Sequence, residues 1–147
     1  MATPGDPRAG LTLRHGAVGL VARLLFLVAA APAVVRAALR VAVCYRRHTL
    51  EEAAARLRDV PPFRLPLARP LWLAGAVRLL APPLPPWGIG PCLKRSLLLL
   101  DLWSRCGLEP SLHVGVERHG ERGRGHAWVT AGELATSCHG FAEAFRF

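Results

Sequence analysis

The chain has 147 residues, 52% hydrophobic and 20% charged, with 19 Lys and Arg against 10 Asp and Glu for a formal net charge of +9. That length bounds it to one domain with a single core, and the apolar content excludes a disordered chain. Its four cysteines show no C-x-x-C spacing, which excludes a disulfide framework and implies reduced thiols in a cytoplasmic protein.

The basic surplus favours acidic partners: a peptide, a protein surface, anionic lipid or nucleic acid. Part of it is ordinary solvated surface, because the arginines are spread along the chain rather than massed in a tail.

Residues 1–60 read as a basic, apolar, helical region. Met1 to Gly10 is small, polar and Pro-containing, and frays. From Leu11 to Tyr45 the chain is apolar, punctuated by Arg14, Arg23, Arg36 and Arg40. Its longest uncharged run, Leu24 to Val35, falls short of the roughly twenty residues a membrane span needs. Pro32 lies inside that run, so the expectation is two packed or interfacial helices broken near it. Basic helices of this kind rest on a membrane surface or dock a partner. A secretory signal is the rival reading, with Arg14 and Arg23 ahead of the apolar stretch and Ala29-Ala30-Ala31 behind it. Against it, the apolar character runs on to Val43. The next helix starts at Thr49-Leu50-Glu51-Glu52, where Thr49 caps and the two acids favour the positive end of the dipole. It stops before Pro61-Pro62, and Leu50, Ala54 and Leu57 form one apolar stripe.

Residues 61–91 form a connector holding nine of the thirteen prolines. Leu71 to Leu80 is a short helix within it. Pro82 to Trp87 reads as an extended polyproline-like segment, a rigid spacer more than a docking motif. Trp87, shortly before Cys92, either lines a substrate groove or packs on the helix that follows.

Residues 92–147 carry the chemistry. Pro91 suits a first helical position, and the apolar run after it continues a helix toward Gly107. Cys92 then sits in the first turn, where unpaired N–H groups and the helix dipole favour a negative sulfur. Lys94 and Arg95 add positive charge. The helix is apolar nearly all round and therefore buried, with Lys94, Asp101 and Arg105 sharing one solvent-facing stripe. Ser111 to Val116 and His126 to Thr130 alternate apolar and polar residues, a hairpin around the turn-rich Arg118 to Gly125. His126 opens the second strand with Trp128 on its face, and His113 on the first strand is structural. A Cys at a helix start facing a strand His is an arrangement of cysteine hydrolases, in which the His takes the thiol proton and returns it to the leaving amine. A zinc site drawn from Cys92, Cys106, Cys138, His126 and His139 is the minor reading, and no metal is expected. No cofactor motif, repeat or nucleic-acid motif is present.

Pro91-Cys92-Leu93-Lys94-Arg95-Ser96-Leu97, the Leu-rich helix, Arg105-Cys106-Gly107, Leu112-His113-Val114-Gly115-Val116 and Gly125-His126-Ala127-Trp128-Val129 together resemble the lasso-peptide leader peptidases. These are transglutaminase-like cysteine peptidases of ribosomal peptide biosynthesis. The likeness covers about the last 55 to 60 residues well, and the N-terminal half mainly in character. It implies an α+β fold: a helical N-terminal half, then a transglutaminase/papain-like core of one buried, nucleophile-bearing helix on a small antiparallel sheet. It also implies a peptidase that removes the leader from a precursor peptide, with Cys92 as nucleophile and His126 as base. A separate leader-recognition protein and an ATP-dependent lasso cyclase are the implied partners.

The family pattern places an acid about a dozen positions after the His. Here Gly132 to His139 holds Glu133 alone. Glu133 and Ser137 are the candidates for the third position, and Thr136 or Ser137 would offer a hydrogen bond without charge. Arg124, in the basic loop, joins Trp87 and Trp128 as candidates for the substrate groove. Two other functions stay open: a catalytically degenerate scaffold for precursor or cyclase, and a basic membrane-surface or nucleic-acid-binding protein. Nucleic acid is the less expected of the last two.

Overall fold

The computed structural model describes residues 8–63, 69–119, 122–136 and 142–147, with side chains described from residue 19 onward except at 117–119, 122–124 and 142–143. Among the described residues four helices, α1 (Arg8–Arg47), α2 (Leu50–Arg58), α3 (Pro70–Leu80) and α4 (Pro91–Arg105), precede four strands, β1 (Ser111–His119), β2 (Arg122–Ala131), β3 (Leu134–Ala135) and β4 (Ala142–Arg146). The strands form one antiparallel sheet in the order β3-β2-β1-β4. The expected α+β architecture with a helical N-terminal part is the one observed.

Helix α1 corrects the first expectation. It runs 40 residues without interruption, with Pro32 inside. A proline there removes one backbone hydrogen bond and crowds the carbonyl four residues back, at a cost of about 3 kcal/mol. The packing on either side outweighs that cost. Ala30, Val34, Ala37, Ala38 and Val41 are all buried at helical spacing in the common core, while Pro32 itself faces outward. The segment Gly19–Arg47, 29 residues, is consequently long and apolar enough to cross a membrane by length and composition. The short uncharged run had suggested otherwise, because it stops at Arg36 whereas the helix continues.

Helix α2 starts as expected. Thr49 N–H donates to the Glu52 carboxylate at 3.1 Å, and Glu52 N–H donates to Thr49 Oγ1 at 3.3 Å, a complete capping box. Its buried residues are Ala53, Ala54 and Leu57. Helix α3 begins on Pro70 and buries Leu73, Ala76 and Val77. Phe26 of α1 meets Trp72 of α3 edge to face at 5.2 Å.

The Pro-rich stretch after α3 is not extended. Leu84 N–H closes a turn on the Ala81 carbonyl at 3.0 Å, and the Pro85–Pro86 bond is cis. Lys94 holds it in this shape, its Nζ donating to the carbonyls of Pro82 and Leu84.

Helix α4 is the axis of the molecule. Leu97, Leu98, Leu100, Leu102 and Trp103 are at most 1% exposed, and α4 contacts the other three helices and two strands. The solvent-facing stripe expected on it does not exist: Lys94 and Asp101 are buried. Asp101 is flanked by Arg40 of α1 at 3.2 Å and Arg105 at 3.0 Å. The Arg105 contact is an aligned hydrogen bond, whereas Asp101 Oδ1 meets Arg40 only as an ion pair. Helical periodicity within α4 does not reveal a counter-charge delivered from α1.

The hairpin is longer than the alternation suggested, with pairing continuous from Ser111↔Thr130 to His119↔Arg122. Backbone pairing continues past the point where one face stops being apolar. Leu112, Ala127, Val129 and Ala131 join the core beneath α4. The alternate set, His113, His126, Trp128 and Thr130, lies on the other face.

Candidate active site

The start of α4 leaves its first N–H groups outside the helix's own hydrogen-bond ladder. Gly90 precedes it without a side-chain cap, and Pro91 brings no N–H. The hydrogen-bond ladder begins with Lys94 N–H on the Gly90 carbonyl at 3.0 Å. The N–H groups of Cys92 and Leu93 therefore precede the ladder, at the positive end of the helix dipole. Cys92 is a free, half-buried thiol at that end.

A cleft of about 190 Å³ opens over it, and Cys92 and His126 both line it. One wall is α3, through Ala74, Val77 and Arg78; the floor is α4, through Cys92, Arg95, Ser96 and Leu99; the far wall is His126, Ala127 and Thr136. Arg78 and Arg95 are exposed at the rim, so the approach is electropositive.

His126 is half-buried and its ring stacks on Trp128, with centroids 6.1 Å apart and planes at 20°. Trp128 stacks in turn with His113 at 5.4 Å and 6°, and His113 Nε2 lies 2.8 Å from Thr130 Oγ1. The row fixes the His126 ring from one side. His113 is buried, as a structural residue would be.

The remaining candidates are placed as follows. Trp128 is buried behind His126 rather than in the cleft. Trp87 is 68% exposed, its indole N–H 3.4 Å from the Pro83 carbonyl, and lines a neighbouring cleft with Pro91, Lys94 and Arg95. Arg95 borders both clefts. Glu133 is exposed in the turn between β2 and β3, beside Gly132 at φ 58°. Thr136 lines the cleft, but its hydroxyl accepts from Val129 N–H at 2.9 Å and faces the Val129 carbonyl at 3.4 Å. Arg124 pairs with Glu117 through the backbone; its side chain and Ser137 lie outside the described residues, as do Cys138 and His139.

Sequence reasoning missed the α3 wall. Its one signal is Arg78, a lone charge on an otherwise apolar helix. Among the described residues, no three His, Cys, Asp or Glu converge as metal ligands. Of the other thiols, Cys106 closes α4, and burial pushes it up to about 11.

No curated protein and no solved structure matches the chain. The profile of the transglutaminase-like superfamily matches residues 27–143, from the middle of α1 into β4. That span takes in the core apart from Phe26, α4 with Cys92, and the strand bearing His126, and on it the chain belongs to the transglutaminase-like superfamily, which includes cysteine proteases and transglutaminases.

Proposed function

We propose that the protein is a cysteine peptidase that removes the leader from a lasso-peptide precursor before ring closure. The observation that carries the reading is the cleft that the helix-start Cys92 and the strand residue His126 both line. Cys92 Sγ attacks the carbonyl carbon of the scissile amide while His126 takes the thiol proton. Negative charge on the carbonyl oxygen is met by the Cys92 N–H ahead of the α4 ladder. Collapse breaks the C–N bond, and His126 returns the proton to the leaving amine. Water, deprotonated by His126, then hydrolyses the thioester and restores the thiol. Arg78 and Arg95 at the rim suit an acidic stretch of precursor. A separate leader-recognition protein and an ATP-dependent cyclase complete the proposed setting, and Glu133 or Ser137 is proposed to orient His126.

One observation favours a second reading, a degenerate scaffold. Glu133 is exposed in its turn and the Thr136 hydroxyl is engaged with Val129. The test is mass spectrometry of precursor peptide incubated with the protein and its recognition partner. Wild type is expected to cut at the leader–core junction, Cys92→Ala to give no cut, and His126→Ala to slow it by about 10²–10⁴-fold. Cleavage surviving in Cys92→Ala sinks the peptidase reading. Leader binding without cleavage by wild type establishes the scaffold.

A further inference from the structure

The face of α1 turned away from the core is apolar. Leu20, Leu24, Val28, Val35, Leu39 and Val43 are between 40% and 74% exposed. At 100° per residue they form one stripe, opposite Ala30, Val34, Ala37 and Val41 in the core. The stripe is about 35 Å long at 1.5 Å per residue. A row of large exposed aliphatics on this scale marks an interaction surface. We propose that it is a lipid-binding face, laying α1 in the headgroup layer of an anionic membrane with the rest of the domain standing above it.

Three observations select lipid. Helix α1 carries seven arginines and no acidic residue. Arg36, Arg46 and Arg47 are exposed beside or beyond the stripe, where they meet lipid phosphates. A second copy of this face would set one arginine-rich helix against another, which disfavours self-association. The stripe is also wholly Leu and Val, without the aromatic anchors that concentrate affinity at protein interfaces.

The packing selects an in-plane helix over a spanning one. Val34, Ala37, Ala38 and Val41 are at most 1% exposed within the common core, and Arg40 pairs with buried Asp101. Threading α1 through a bilayer would strip away these contacts and leave Asp101 without Arg40. Lying flat retains all of them.

The test is flotation of the full chain with vesicles of phosphatidylglycerol and phosphatidylcholine, against pure phosphatidylcholine. Co-flotation with the anionic vesicles only, weakened by salt and released by alkaline carbonate, is expected. Leu24→Glu with Val28→Glu, both on exposed positions, lowers binding at least about tenfold while circular dichroism stays unchanged. Arg46→Glu with Arg47→Glu weakens it and flattens the salt dependence. Cys92→Ala binds like wild type, so the result is independent of the peptidase reading. Four outcomes overturn the proposal: no flotation, flotation untouched by Leu24→Glu with Val28→Glu, retention through carbonate as a spanning helix, or a dimer dissociated by the same pair.

Discussion

The thiols of Cys92 and Cys106 sit at opposite ends of α4 in opposite surroundings. Cys92 lines a cleft at the end where backbone N–H groups precede the helix ladder, whereas burial pushes Cys106 up to about 11. Alkylation needs thiolate and access. Iodoacetamide near neutral pH should modify Cys92 before Cys106, with at least about a tenfold rate difference in peptide mass spectra; equal rates would remove the distinction. Stability carries the same asymmetry. Below the ordinary value of 9.0, folded and unfolded chains both keep the Cys106 proton. Between there and about 11, the unfolded chain releases it and the folded chain does not, so stability falls as pH rises through that window. Cys106→Ala should flatten the decline. Thermal melts on either side of the window would show it, and parallel curves for wild type and variant would refute it.

Between elements, the strongest electrostatic tie is Asp101, which joins α1 to α4. A fully buried carboxylate that loses its partners is an uncompensated charge, worth about 3–5 kcal/mol. Arg40→Met with Arg105→Met should therefore cost about that much. Asp101→Ala, which leaves two partly exposed guanidiniums free to reach water, should cost less, about 1–3 kcal/mol. Urea midpoints at constant slope decide it, and a larger loss for Asp101→Ala would overturn the account. What the sequence revealed follows the same line between local and distant causes. Thr49 with Glu52, and Pro91, announced their helices because a cap or a first-turn proline acts within a few residues. Pro32, Lys94, Asp101 and the bent Pro82–Trp87 segment misled, because each is decided by a partner from another element. The site divides similarly. Cys92 and His126 were legible from their positions on a helix start and a strand, but the α3 wall that closes the cleft appears only in three dimensions.

At the scale of the whole molecule, composition separates an apolar basic half from a half bearing the chemistry, yet packing joins them. The inner face of α1 completes the core around α4, and Trp103 donates its indole N–H to the Pro70 carbonyl at 3.0 Å, tying the helix to the connector as well. The superfamily match entering α1 at residue 27 follows this boundary rather than the compositional one. Two halves sharing one core unfold together. Far-UV circular dichroism, dominated by α1, and tryptophan fluorescence, with Trp103 at the centre, should give coincident denaturant transitions. Leu100→Ala on α4 should lower both midpoints equally, with a loss of about 2–5 kcal/mol for a fully buried leucine. If instead α1 persisted after the fluorescence transition, it would be an independent helix. The core contacts that hold α1 flat in the membrane proposal would then be too weak to do so.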